Sequence, residues 1–123
     1  MKISILLPYK ENYSIEYAGA VSIFVSGVNK YSKFNQNIKV YGNTDYPKKL
    51  SKNYINIPFK RKYFQSSSKV YVNNFINLEK VRRSDIIEIH NRPSYLKYFS
   101  YFKKKIFFYF HNYSLLMKVS ISI

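Results

Sequence analysis

The sequence predicts an α/β fold in which short apolar strands alternate with helices around a parallel sheet. The chain has 123 residues, which fits one domain. Apolar residues make up 46% of it, so it can bury a core and is not a disordered tail. Strand-like apolar runs alternate along the chain with segments whose apolar residues recur at helical spacing. This alternation is typical of parallel sheets with right-handed crossovers.

The first half of the chain predicts three strands and one helix. A buried strand is predicted over Ile3–Leu7 and is closed by Pro8. The next apolar segment, Gly19–Tyr31, has its apolar residues on one helical face. Two further strands are predicted over Ile38–Tyr41 and Tyr54–Ile57.

The second half of the chain continues the alternation. Serine residues that cap free N–H groups predict a helix over Ser66–Arg83, and a fourth strand follows at Asp85–His90. A helix is predicted from Pro93 to about Phe102, and Ile106–Phe110 reads as a central strand covered on both faces. Together these elements predict a Rossmann-like, doubly wound parallel sheet of about five strands in the order 3-2-1-4-5.

The charge of the chain is strongly positive, with 21 Lys and Arg, six acidic residues and a formal net charge of +15. Such an excess points to nucleic acid, anionic lipid or a phosphorylated substrate. The joint enrichment in Lys, Asn, Ile, Tyr and Phe is equally what an A/T-rich coding sequence produces. The absence of Cys and of an apolar run long enough to span a membrane predicts a cytoplasmic protein, with peripheral contact at the inner membrane face as an extension.

Ligands of doubly wound sheets bind beyond the carboxyl ends of the strands, so the segments after strands one, four and five are candidates. The first of these segments leads into a helix N-terminus that could receive a phosphate. The predicted site residues are Glu11, Gly19, Ala20, His90, Asn91, Arg92, His111 and Asn112.

Each of these residues also has an ordinary structural explanation. Gly19 could serve packing alone, and His90 and His111 could be strand-end histidines bonded to backbone instead of acting on a sugar hydroxyl. Arg92 could clamp a phosphate or remain a solvated charge. No metal site is predicted, because two histidines and few carboxylates make zinc improbable. The lack of G-x-G-x-x-G disfavours a nicotinamide cofactor.

The stretch from Met1 to about Met117 resembles the N-terminal domain of bacterial family 4-like glycosyltransferases, which have the GT-B architecture of two Rossmann-like domains. The most specific piece is His90-Asn91-Arg92-Pro93. The segments that carry the resemblance are Ile3–Pro8, Ala18–Val21, Asp85–Pro93 and Tyr109–Asn112.

The resemblance implies an acceptor-side domain for a sugar or glycolipid acceptor, as in polysaccharide biosynthesis. It places Gly19 near the diphosphate of a nucleotide-diphosphate sugar donor, and His111 near the transferred sugar as the catalytic position. It places His90, Asn91 and Arg92 along the cleft. It implies no cofactor bound by this chain, since the donor is a substrate held chiefly by a second domain.

The sequence departs from the resemblance at its end, where Tyr113–Met117 stands in place of an Asp-Pro turn. We therefore expect residues 1–112 to form an incomplete acceptor-side domain and residues 113–123 a divergent tail. A chain of this kind should be inactive alone, and its fifth strand should present an exposed apolar edge.

Two alternatives remain open at this point. A nucleic-acid-binding module would use the basic charge and the rings, although the aromatics fall mostly in predicted strands and helices, which makes nucleic acid the weaker prediction. A subunit of a split glycosyltransferase would pair with a separately encoded C-terminal donor-binding domain, with weak contact to anionic membrane as a further option.

Overall fold

The computed structural model describes residues 1–60, 64–100, 102, 105–110 and 117–122. Within these ranges two α-helices and two short 3₁₀ helices surround one sheet. The helices are α1 (Ala20–Tyr31), α2 (Ser67–Arg82) and the 3₁₀ helices Asn35–Asn37 and Pro93–Phe99. The strands are β1 (Ile3–Leu6), β2 (Ile38–Gly42), β3 (Tyr54–Asn56), β4 (Ile86–His90), β5 (Lys105–Phe110) and β6 (Met117–Ser122).

The described strands lie in the order β3-β2-β1-β4-β5-β6, and the first five run parallel. This confirms the predicted Rossmann-like sheet and its order 3-2-1-4-5. Ile5 in β1 lies opposite Val40 in β2 and Glu88 in β4, and His90 lies opposite Tyr109 in β5. The order of the strands reverses between β1 and β4, which makes their carboxyl ends the switch point of the sheet.

Two predictions about the later part of the chain differ from the structure. The outer edge of β5 pairs antiparallel with β6, so the expectation of an exposed edge was wrong. The helix predicted from Pro93 is a 3₁₀ helix that ends at Phe99. Aromatic residues have only moderate helix propensity, and the segment is anchored by the buried rings of Tyr95 and Phe99 instead of by a long amphipathic face.

The sheet buries an apolar layer on each face because side chains alternate along its strands. Ile3 and Ile5 pack beneath α1, whereas Leu6 joins the residues beneath α2 and the second 3₁₀ helix. The Tyr71 hydroxyl in α2 donates to the Leu7 carbonyl at 2.6 Å, which fixes α2 across the carboxyl end of β1. Among the described residues, no helix has both the length and the apolar character needed to cross a membrane.

A buried carboxylate holds the opposite, amino end of the sheet. Glu79 in α2 is fully buried and accepts hydrogen bonds from the hydroxyls of Ser4 in β1 and Ser84 before β4. The Ser84 N–H also donates to it, at 3.3 Å. Arg82 completes the cluster by donating from Nε to the Ser4 hydroxyl at 3.1 Å and from its guanidinium to the Ile3 carbonyl at 3.1 Å. One side chain therefore connects α2, β1 and the turn into β4.

We expect Glu79→Ala to lower the free energy of unfolding by about 3 kcal/mol, because it leaves buried donors without an acceptor. Glu79→Gln keeps one acceptor oxygen and should lose less. Urea unfolding followed by circular dichroism measures both, with exposed Glu16→Ala as the control, which should stay within about 0.5 kcal/mol of wild type. Unchanged stability in Glu79→Ala would contradict a role for this cluster in stability.

Candidate functional site

A polar cleft of about 520 Å³ opens at the carboxyl edge of the sheet, beyond β1, β2 and β3. We call it the edge cleft. Its volume lies in the range of small-molecule binding sites. Its lining residues come from the loops after the three strands, and are the aromatic Tyr9, Tyr46 and Phe59 with the polar Lys10, Asn12, Asn43, Thr44 and Asp45.

The aromatic wall of the edge cleft is fixed from behind. The Tyr9 ring stacks on Phe59 with centroids 5.0 Å apart and planes at 27°, and lies 5.4 Å from the Tyr71 ring. The Tyr9 N–H donates to the Tyr95 hydroxyl at 3.0 Å. Since Tyr71 and Tyr95 are both buried, the ring of Tyr9 is held on a rigid base.

The polar wall is held by hydrogen bonds between the loops. The Thr44 hydroxyl donates to the Asn12 side-chain oxygen at 3.1 Å, and the Thr44 N–H donates to the Asn56 side-chain oxygen at 3.0 Å. The Asn43 amide donates to the Ile57 carbonyl at 3.1 Å. These bonds keep the loops after β1, β2 and β3 together, and they leave Lys10 and Asp45 as the solvent-exposed charges on the cleft.

The backbone adopts left-handed conformations directly beyond the two strands of the switch point. Lys10 has φ 67° after β1, and Asn91 has φ 58° after β4. Asn tolerates this region well, but for Lys it is uncommon and costs free energy. Such conformations cluster at functional sites, where the surrounding structure maintains them.

Glu11 and Gly19, both predicted site residues, interact directly. The Glu11 carboxylate accepts hydrogen bonds from the Ser22 N–H at 3.1 Å and the Ser22 hydroxyl at 2.7 Å. A Cβ at position 19 would lie 2.0 Å from the Glu11 Oε2. The φ of Gly19 is −75°, so backbone conformation does not call for glycine here, and a larger residue would instead push the flexible Glu11 carboxylate aside. The N-terminus of α1 therefore already holds the protein's own anion.

The residues predicted after β4 have different surroundings. His90 is 1% exposed, and its ring stacks on Tyr109 with centroids 4.7 Å apart and planes at 3°. Its Nε2 lies 3.5 Å from a Glu88 carboxylate oxygen. Asn91 is half-buried, and Arg92 is exposed with its guanidinium donating to the Asn91 carbonyl at 3.2 Å. His90 therefore lies in the layer beneath α1 and not on the open edge.

The remaining predicted residues are placed as follows. Ala20 is the exposed first residue of α1, on the same loop end as Gly19. His111 and Asn112 lie outside the described residues, so their roles stay predictions. The structure thus brings Glu11, Gly19 and Ala20 to the carboxyl edge at β1. The neighbouring strand is β4, which Asn91 and Arg92 follow.

Tyr109 belongs to a small cavity of about 80 Å³ beside α1, which Phe24, Val28, Glu88 and His90 also line. Burial, together with the charge of Glu88 and a hydrogen bond to it, raises the pKa of Tyr109 to about 12. The phenol is therefore neutral throughout the physiological pH range and can act as a hydrogen-bond donor.

Sequence reasoning missed most of the edge cleft. It considered the segments after strands one, four and five, whereas the cleft is completed by Asn43–Tyr46 after β2 and Phe59 after β3. The same carboxyl-end rule applied to every strand would have found them. Within the part of the chain that the structure describes, no group of three His, Cys, Asp or Glu residues could hold a metal ion.

Comparisons with family models, curated proteins and solved structures yield no match to this chain. A fold of this kind supports many unrelated functions, so function has to be argued from the site itself.

We expect Gly19→Ala to displace the Glu11 carboxylate and to lower the free energy of unfolding by about 1 to 2 kcal/mol through the lost bonds to Ser22. In a Glu11→Ala background the same substitution should be neutral or slightly stabilising, because the obstructing group is absent. Urea unfolding of the four proteins gives the coupling between the two positions, expected to be about 1 kcal/mol or more. Additive effects would contradict the contact.

We expect Glu88→Gln to lower the pKa of Tyr109 from about 12 towards its ordinary value of 10.0 without reaching it, because burial is the larger cause. The pKa can be followed by NMR of protein labelled with ¹³C at the tyrosine ζ carbon. The resonance of Tyr13, whose pKa is raised by burial without a carboxylate, serves as the internal control. An unchanged Tyr109 pKa would show that Glu88 does not act on the phenol.

Proposed function

We propose that the chain is the acceptor-binding half of a glycosyltransferase that uses a nucleotide-diphosphate sugar, and that the edge cleft holds a sugar of the acceptor. The observation that carries this proposal is the composition of the cleft: it combines aromatic rings with hydrogen-bonding side chains, both neutral (Asn12, Asn43, Thr44) and charged (Lys10, Asp45).

A sugar ring has the two kinds of surface that these walls complement. Its C–H groups form slightly positive patches that pack on the negative face of an aromatic ring, such as the supported ring of Tyr9. Its hydroxyls both donate and accept hydrogen bonds, so they can donate to the Asp45 carboxylate or bond to the Asn43 side-chain amide on the other wall. Lys10 adds a donor, and its ammonium lies 5.6 Å from the centroid of the Tyr9 ring.

The position of the edge cleft supports an acceptor role. It borders β1, one of the two strands at the switch point, and Gly19 and the His90–Arg92 segment lie on that side of the sheet edge. In this proposal, a donor bound by a second domain would approach this side of the sheet edge. The reacting hydroxyl of the acceptor would then lie between the edge cleft and the donor. In this proposal the chain orients the acceptor and the partner domain supplies most donor contacts, which is why the chain alone should not turn over.

The nucleic-acid alternative has less support from the positions of the rings. Tyr13, Tyr71 and Phe75 are fully buried in the apolar layers and cannot stack on bases. Among the described residues, the most exposed rings, Tyr17, Tyr31 and Phe64, belong to three segments that are far apart in the sequence.

The test is binding of the purified chain to an array of hexoses and N-acetylhexosamines, presented singly and as linear oligosaccharides. We expect retention of a subset of these sugars by wild type, and a loss of about tenfold in affinity for Asp45→Ala, since one charge-assisted hydrogen bond of the cleft is removed. Asp85→Ala, which changes an exposed carboxylate at the opposite end of the sheet, is the matched control and should bind as wild type does.

Two results would contradict the proposal. One is failure of the wild-type chain to retain any sugar on the array. The other is salt-sensitive binding of a single-stranded oligonucleotide that Asp45→Ala leaves unchanged, which would favour the nucleic-acid alternative.

A further inference from the structure

Tyr17 is an exposed aromatic residue in a strained position. Its side chain is 75% exposed, and its backbone has φ 56°, in the left-handed region that bulky residues rarely occupy. The Tyr17 side chain is not part of the buried apolar layers of the sheet. Strained conformations that a rigid surrounding structure maintains cluster at functional sites, so an exposed ring in such a position is a candidate for contact with a ligand.

The loop that carries Tyr17 is rigid because it pairs with the loop between β2 and β3. The Ile15 N–H donates to the Lys48 carbonyl at 2.9 Å, and the Leu50 N–H donates to the Tyr13 carbonyl at 3.4 Å. Between these bonds, Ser14 and Lys49 form an antiparallel bridge. The two loops thus form a small ladder at the rim of the edge cleft.

The ladder brings Tyr17 next to Tyr46, whose backbone is itself anchored. The Lys49 ammonium donates to the Tyr46 carbonyl at 2.6 Å, and the Tyr46 N–H donates to the Thr44 hydroxyl at 3.4 Å. The rings of Tyr17 and Tyr46 lie 5.3 Å apart with planes at 41°. Since Tyr46 lines the edge cleft, this pair extends its aromatic surface outwards beyond the wall formed by Tyr9 and Phe59.

We infer that Tyr17 and Tyr46 form an outer platform for a second sugar unit, so that the acceptor is an oligosaccharide and not a single sugar. The inference rests on the proposed function and adds a substrate class to it. The inner unit packs on Tyr9, and the next unit packs on the outer pair, with the strained loop holding Tyr17 in place before the ligand arrives. This preorganisation lowers the entropic cost of binding the second unit.

The test compares single sugars with linear di- to tetrasaccharides of the same sugars on the array, using wild type, Tyr17→Ala and Tyr17→Phe. Wild type should bind oligosaccharides more tightly than their single sugars. Tyr17→Ala should weaken oligosaccharide binding about tenfold and leave binding of single sugars unchanged, whereas Tyr17→Phe should retain the platform. Tyr31→Ala removes an equally exposed ring from the end of α1 and should change neither.

The outcomes separate this inference from the function on which it rests. Single sugars bound as tightly as oligosaccharides, or oligosaccharide binding unaffected by Tyr17→Ala, would overturn the outer platform and leave the sugar-binding cleft standing. A wild-type chain that retains no sugar would overturn both. Tyr17→Gly, which removes the ring and suits the left-handed backbone, repeats the test in a loop relieved of strain. It should show the same loss as Tyr17→Ala, and wild-type affinity in Tyr17→Gly would overturn the platform.

Discussion

The arrangement of the sheet and α2 depends on the hydrogen bonds that the Glu79 carboxylate accepts. It is fully buried and accepts from Ser4 and Ser84, which lie in or next to the two strands that meet at the switch point. A buried charge is tolerated only where hydrogen bonds replace its hydration. The register that places Ser4 beneath α2 also points Ile3 and Ile5 to the other face, beneath α1. The polar cluster at the amino end therefore specifies which face of β1 each helix covers.

The carboxyl end of the sheet is built on a different principle. Its loops hold one another by hydrogen bonds such as that from Thr44 to Asn12, while Tyr9, Lys10 and Asp45 remain accessible on the edge cleft. Left-handed conformations at Lys10 and Tyr17 add strain that the paired loops maintain. The amino end thus holds a buried polar cluster, whereas the carboxyl end holds an open cleft with two residues in the left-handed region.

Most of the fold could be predicted from the sequence, because apolar strand-like runs alternate with helical segments along the chain, and α2 has clear terminal signals. Ser66 illustrates this: its side chain accepts from the Lys69 N–H and caps α2 as its position predicts. The β6 strand was not predictable in this way, since antiparallel pairing with β5 depends on a tertiary partner. At the site, polarity after strands identified Glu11 and Gly19 but not their contact with each other. Tyr46 was missed because the carboxyl-end rule was applied only to strands one, four and five, whereas Tyr46 lies in the loop after β2.

The Glu11 carboxylate bears on which ligand the carboxyl edge of the sheet could accept. It already bonds the Ser22 N–H at the start of α1, the place where a doubly wound domain would otherwise bind a phosphate. A donor diphosphate brought to that helix end would meet a carboxylate of like charge, unless Glu11 rotates away from Gly19. A neutral sugar in the edge cleft meets no such repulsion. Under the proposed function, this geometry would favour a neutral acceptor in the edge cleft over a diphosphate at the start of α1, and the charged donor would then be held chiefly by a partner domain.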